Sequence, residues 1–219
     1  MKSYKMKSII LLILAMTVPT TFAQFSIGTG NGCPSDAIGY NSATKTFKPT
    51  CGGNQMAIKF SDWDLEGCVL EHLDLSQCTS VTSIEMDTWT SVNGERNKYF
   101  CGSSDYNPQQ YAKYNDVQSI IFPPNLVEIP ASFFYNCDPL TSIDFGDNSQ
   151  LQTIGEDAFS SGGVTSVNFG TNSQLQTIEG SAFYRARLSS IVIPSSVHTI
   201  GENAFSRNTL GGQTYTLQS

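Results

Sequence analysis

The residues best equipped for chemistry in this chain are few and fall at recurring places. His72 stands two residues before Asp74, and serines fill the place equivalent to His72 further along, at Ser83, Ser119, Ser142, Ser166 and Ser190. Histidine, aspartate and serine are the parts of a hydrolytic triad. A triad also needs a shaped pocket and donors for an oxyanion, and a serine repeated at intervals is more simply a small side chain that lets equivalent segments stack. No enzymatic activity is expected. Asp74 and Glu85 hold equivalent places one segment apart and would stand about 5 Å from each other on adjacent strands. The same place is next held by Ile121, Asp144, Asn168 and Val192. Calcium takes about six to eight oxygens, and two carboxylates in an interrupted row fall short of that. Neither a metal nor an organic cofactor is expected. His198, the other histidine, is expected on the second side of its unit, in a row with Thr153 and Thr177.

Six cysteines, Cys33, Cys51, Cys68, Cys78, Cys101 and Cys137, show none of the paired Cys-x-x-Cys or His-x3-His spacings of a zinc site. They read as disulfide staples. Between Cys101 and Asp116 lie Tyr106, Tyr111 and Tyr114 among Ser, Gly, Asn and Gln. That is the composition of adaptable binding loops, in which aromatic rings supply contact area at low entropic cost. A neutral surface loop held by Cys101 is the competing reading.

The elements that must position these residues come from one pattern written over and over. Leu140-x-x-Ile143-x-Phe145, Val164-x-x-Val167-x-Phe169 and Leu188-x-x-Ile191-x-Ile193 are each followed by a second apolar group: Leu151, Ile154 and Ala158-Phe159; Leu175, Ile178 and Ala182-Phe183; Val197, Ile200 and Ala204-Phe205. The leading positions Leu140, Val164, Leu188 and Leu210 are almost evenly spaced along the chain. Their period of roughly two dozen residues is the mark of a solenoid. The first group of each unit predicts a short strand, and stacked units predict a parallel sheet with ladders of Leu, Ile and Phe inside. The ladder of Phe100, Phe134, Phe159, Phe183 and Phe205 is the clearest. Upstream, Leu70-x-x-Leu73-x-Leu75 reads as a half-length unit and Val81-x-x-Ile84-x-Met86 as a full one. About a dozen residues are inserted within 101–116 before the period resumes at Val117-x-x-Ile120-x-Phe122.

The start of the chain reads as an export signal: Lys2, Lys5 and Lys7, an apolar run from Ile9 to Met16, and Thr21-Phe-Ala23. The run is too short for a membrane span of about 20 residues, so no membrane insertion is expected once residues 1–23 are removed. The leader holds three of the twelve basic and none of the nineteen acidic side chains, which leaves the mature chain at −10. That balance excludes nucleic acid as an expected partner, since the phosphate backbone needs a basic face. The glycines of Ser26 to Gly32 have no strand before them and no helix pattern after them, and read as a flexible mature N-terminus.

The unit L-x-x-I-x-F/I, a spacer, then L-x-x-I-x-x-x-A-F, as in Leu188 to Phe205, resembles the BspA-like subclass of leucine-rich repeats over about 70–210. The resemblance implies a curved, right-handed solenoid, of a kind found in surface or secreted proteins and often associated with adhesion or binding to other proteins. The expected organisation is a signal peptide at 1–23, a disulfide-stapled N-terminal cap at 24–69 because a solenoid end must be covered, repeats at 70–210, and a last strand or the start of a further repeat at 211–219. One face should be a parallel sheet, the other irregular turns with short second strands.

The stacking register limits the cysteine pairings. Cys78 and Cys137 sit in units two steps apart, about 10 Å at the strand spacing, beyond the Cα separation of about 7 Å that a disulfide spans. The pairs expected are Cys68 with Cys78, Cys101 with Cys137 and Cys33 with Cys51; the alternative leaves Cys78 and Cys137 as buried thiols. The functional expectation is a secreted or cell-surface protein that binds an extracellular or host protein, with matrix components among the candidates. Binding is expected through the outward sheet face (His72, Asp74, Glu85, Asp144, Asn168) and the loop of Tyr106, Tyr111 and Tyr114. The rival is a carbohydrate-binding or purely structural module, which aromatic residues lined up on one outer face would favour.

Overall fold

A strand whose alternate residues are apolar must bury one face, and a strand of three residues buries too little to stand alone. The repeat solves this by stacking. The computed structural model describes residues 39–49, 51, 56–59, 69–85, 89–90, 96–97, 100–101, 116–209 and 215–217. The leader, Cys33, Cys68, Tyr106, Tyr111 and Tyr114 lie outside the described residues.

The strands, in chain order, are β1 (Tyr40–Asn41), β2 (Thr46–Phe47), β3 (Ala57–Lys59), β4 (His72–Asp74), β5 (Ser83–Glu85), β6 (Trp89–Thr90), β7 (Arg96–Asn97), β8 (Ser119–Ile121), β9 (Glu128–Ile129), β10 (Ser142–Asp144), β11 (Thr153–Ile154), β12 (Ser166–Asn168), β13 (Thr177–Ile178), β14 (Ile191–Ile193), β15 (Thr199–Ile200) and β16 (Tyr215–Leu217). They build two walls of a β-solenoid. The first has the order β1-β2-β4-β8-β10-β12, and β14 with β16 extends the same series of repeats; the second has the order β9-β11-β13-β15. All pairings in these walls are parallel except β1 with β2, which run antiparallel at the N-terminal edge. Ile120, Ile143 and Val167 are register partners in the first wall, Ile129, Ile154, Ile178 and Ile200 in the second.

A third wall is formed by the aromatic ladder. Phe134, Phe159, Phe183 and Phe205 stack with ring centroids 5.1, 5.2 and 5.4 Å apart and nearly parallel planes, and Phe100 joins them tilted at 5.0 Å from Phe134. The backbone follows the same ladder: the N–H groups of Phe134, Phe159 and Phe183 donate to the carbonyls of Ala158, Ala182 and Ala204 at 2.7–2.8 Å. A shorter stack of Phe122, Phe145 and Phe169 lines the first wall from inside at 4.8 and 5.6 Å. Where the chain leaves that wall, Gly170 has a φ of 65°, and a Cβ there would lie 2.0 Å from the Gly146 carbonyl oxygen. A side chain at that place would push the two turns apart.

Three expectations for the N-terminal half need correction. Val81-x-x-Ile84 does not open a unit. β5 pairs with β3 and lies beside β9, with Val127 N–H donating to Thr82 O at 3.0 Å, so it is the second strand of the unit that begins at Leu70. Leu73 and Ile120 are therefore register neighbours, although twice as much chain separates them as separates Ile120 from Ile143 or Ile143 from Val167. The insertion is accordingly larger and divided. Ile84 and Phe100 are separated by more than three times the chain that joins Ile154 to Phe159, and the extra length holds the antiparallel hairpin β6–β7; the rest follows Cys101. Finally, β2 and β3, within the stretch expected only to cap, already stack in register, with Phe47 on Leu73 and Ile58 on Ile84 at the same separation along the chain.

That last shift explains the disulfides. The bonds among the described residues are Cys51–Cys78 and Cys101–Cys137, with Cα–Cα distances of 4.8 and 5.1 Å. Cys101–Cys137 is as expected. Cys68–Cys78 and Cys33–Cys51 are not, because Cys51 follows β2 as Cys78 follows β4, and stacking of those two strands makes them the neighbours that a disulfide can join. Cys78 and Cys137 are buried but not free thiols.

Candidate functional site

In β4, β8, β10 and β12 the central residue is turned inward and its neighbours outward. Leu73, Ile120 and Ile143 are buried, while His72, Asp74, Ser119, Ile121, Ser142 and Asp144 are partly exposed, as Ser166 and Asn168 are more fully. Register partners run across this face as two rows. One is Thr46, His72, Ser119, Ser142 and Ser166; the other continues from Asp74 through Ile121 and Asp144 to Asn168. Val192 is 53% exposed at the next step.

The structure separates two residues that the sequence placed together. Asp74 has Ile121 as its register partner, and Glu85 lies in the second wall opposite Lys59. The expected pair of carboxylates does not exist, and among the described residues no group of three or more metal-ligating side chains is assembled. His198 also departs from its expected row: its N–H donates to Gln176 O at 3.1 Å, and it is Thr199 that continues the line of Thr153 and Thr177.

Two lysines missed at the sequence level shape the N-terminal end of the face. Lys48 Nζ lies 2.6 Å from Asp74 Oδ2, and Lys45 forms an ion pair with Glu71. Both lysines flank β2, and only recognising that strand as part of a repeat would have placed them here. Burial works against ionisation of Asp74, but the hydrogen bonds from Lys48 and Ser76 outweigh it and hold its carboxyl below the usual range. The Lys45 ammonium is held above its usual value by its hydrogen bond and charge interaction with Glu71.

His72 Nδ1 and Ser119 Oγ share a hydrogen bond of 2.8 Å. Among the described residues no carboxylate touches the other ring nitrogen, and both side chains are partly exposed on the sheet face. Further along, Asn168 Nδ2 donates to Asp144 Oδ1 at 2.9 Å, and the same oxygen accepts from Gly146 N–H at 2.8 Å. On the adjoining turn Asp147 Oδ1 accepts from the N–H and hydroxyl of Thr171 at 2.7 and 2.9 Å, and those bonds lower its pKa. Asn172 Nδ2 donates to Asn148 Oδ1 at 3.0 Å. The bonds from Asn168, Thr171 and Asn172 each reach the equivalent position of the preceding repeat. They tie the repeat of β12 to that of β10 beneath a polar surface of Ser, Asp, Asn and isolated aliphatic groups.

A family model described as BspA type leucine rich repeat region matches this chain in six copies over residues 106–211. No curated protein matches it. Among solved structures, the chain is similar to the one titled the crystal structure of pneumococcal vaccine antigen PcpA. Identity is 20% and the TM-score 0.39, and the match covers 77% of this chain but 45% of that one, less than half its length.

Proposed function

Starting from residues 106–211 as a BspA type leucine rich repeat region, we propose that this chain is an exported, non-enzymatic protein that binds another protein outside the cell through the outward face of its first wall. The observation that carries the reading is the face itself: register-aligned rows from His72 to Ser166 and from Asp74 to Asn168, tied by hydrogen bonds between repeats and, among the described residues, partly or fully exposed. A fixed surface loses little entropy on binding, and its spaced hydrogen-bonding groups, with Ile121 between them and exposed Val192 beyond Asn168, suit a protein partner better than a small molecule, which wants a concave pocket. The disulfides support an oxidising compartment, and among the described residues no helix is long and apolar enough to cross a membrane. The outward rows of β4, β8, β10 and β12 hold no Phe, Tyr or Trp, which disfavours the carbohydrate-binding alternative.

The test is a binding screen of the disulfide-intact chain against extracellular-matrix and cell-surface proteins and a glycan array. Asp144→Arg with Asn168→Arg should abolish capture of a protein partner, and a variant lacking residues 102–115 should retain it. Capture that vanishes only with the deletion would move the site to the loop of Tyr106, Tyr111 and Tyr114. Signal on glycans alone would reject the protein-partner reading.

A further inference from the structure

Between residues 116 and 209 nine side chains are acidic and three are basic: Arg185, Arg187 and Arg207. All three basic groups fall at one corner, where the chain turns out of the aromatic ladder in two successive repeats. Arg187 is spent on Asp138, 2.8 Å away. Arg185 Cζ lies 5.4 Å and Arg207 Cζ 5.7 Å from the centre of the Tyr184 ring, and among the described residues neither guanidinium has a carboxylate within ion-pair distance. Two like charges gathered at one half-buried ring repel each other, and the ring's quadrupole offsets only part of that.

The backbone makes the arrangement costlier. Asn136, Ser161, Arg185 and Arg207 form one column, joined by N–H donation from Asn136 to Ser160 O, from Ser161 to Tyr184 O and from Arg185 to Ser206 O. Every member is left-handed, with φ of 57°, 58°, 54° and 60°. That conformation suits Asn, whose short side chain tolerates it, and strains a long one. The column begins with the short side chains of Asn136 and Ser161 and carries Arg at its last two positions, where the left-handed backbone does not favour a long side chain and no salt bridge among the described residues holds it. A residue held against its local preference marks a place where something other than folding is served.

We infer that Tyr184, Arg185 and Arg207 form a docking site for a short acidic peptide segment of a partner protein, whose carboxylates the two guanidiniums grip. Arginine presents a planar fork that matches a carboxylate in two parallel hydrogen bonds. Spacing by one repeat, about 4.8 Å along the backbone, suits one or two acidic side chains. A long polyanion is disfavoured, because the same two repeats also carry Glu179 and Glu202 and residues 116–209 hold no basic side chain beyond the three arginines. This site lies off the first wall, so it stands or falls independently of the sheet-face reading.

The experiment follows the arginine Nε–Hε signals of the disulfide-intact chain by NMR during titration with a synthetic peptide bearing two glutamates separated by one glycine. The glutamine version of that peptide and a sulfated heparin oligosaccharide serve as the other arms. The Glu peptide should shift two of the arginine signals and bind at least tenfold more tightly than the Gln peptide, with an affinity that falls as salt rises. Arg185→Asn with Arg207→Asn should lose that binding at least tenfold while the melting temperature stays level or rises, since Asn suits the turn. Equal binding of the Gln peptide, undiminished binding by the double variant, a lowered melting temperature, or binding of the oligosaccharide in place of the peptide would each overturn the inference.

Discussion

Asp147 shows how a single exposed residue in this fold couples repeats. Its carboxylate accepts two hydrogen bonds from Thr171, one repeat on, and its pKa is lowered as a result. A carboxyl whose native pKa lies below its unfolded value of about 3.9 stabilises the fold above that value, and the contribution is lost as pH falls through the native one. Asp74, where the effect of burial is outweighed by Lys48 and Ser76, works in the same direction. The chain should therefore lose stability on acidification from about pH 4 downward. In urea melts taken between neutral and strongly acidic pH, Asp147→Asn should show a shallower acid loss than the parent, because the substituted side chain no longer takes up a proton. An identical acid dependence in the two proteins would mean that the turn contributes nothing to the linkage.

At the scale of elements, the C-terminal repeats are readable because identical fillers return at a constant interval and the ladder of Phe134, Phe159, Phe183 and Phe205 leaves no choice of register. The N-terminal half misleads because first and second strands share a grammar. Val81-x-x-Ile84 has the form of Leu140-x-x-Ile143, but it also has the form of Leu126-x-x-Ile129, the second strand of the next unit. The distinguishing residue lies two past the Ile. Phe122, Phe145, Phe169 and Ile193 close first strands there, and Met86 imitates them by being apolar. The same ambiguity hides β2 and β3, puts Glu85 on the wrong wall and mispairs Cys51 and Cys78. The candidate face is legible as a pair of rows from Ser119 onward, but its two lysines are not.

The correctly placed bond, Cys101–Cys137, has a definite role among these elements. It ties the chain between the two parts of the insertion to the next coil, so the long excursion is pinned midway with Phe100 in the aromatic ladder. A loop closed over 36 residues should stabilise by about 3–4 kcal/mol on the chain-entropy account. Cys101→Ser with Cys137→Ser should lower the urea unfolding free energy by about that much. A loss below about 1 kcal/mol would mean that the unfolded chain is already restricted where the bond closes it.

For the whole molecule the consequence of stacking is that a residue's worth depends on its place in the array as much as on its type. In a solenoid each repeat touches only its neighbours. Ile129, Ile154, Ile178 and Ile200 fill one inward position, yet the first three are fully buried and Ile200 is 46% exposed, because β15 is the last strand of the second wall among the described residues. Among the described residues β16 continues the first wall past β14, whereas no strand pairs with β15 on its far side. Truncating a buried isoleucine removes its transfer free energy and leaves a cavity, typically about 2–5 kcal/mol, whereas a half-exposed one leaves no closed cavity. Ile178→Ala should therefore cost about 2–5 kcal/mol in urea unfolding and Ile200→Ala less than half as much, with amide exchange fastest at β15 and slowest near β11. Equal costs at the two positions would mean that the open end of the second wall is covered in solution by another part of the protein or by a partner, and the exposed Ile200 would then belong to an interface.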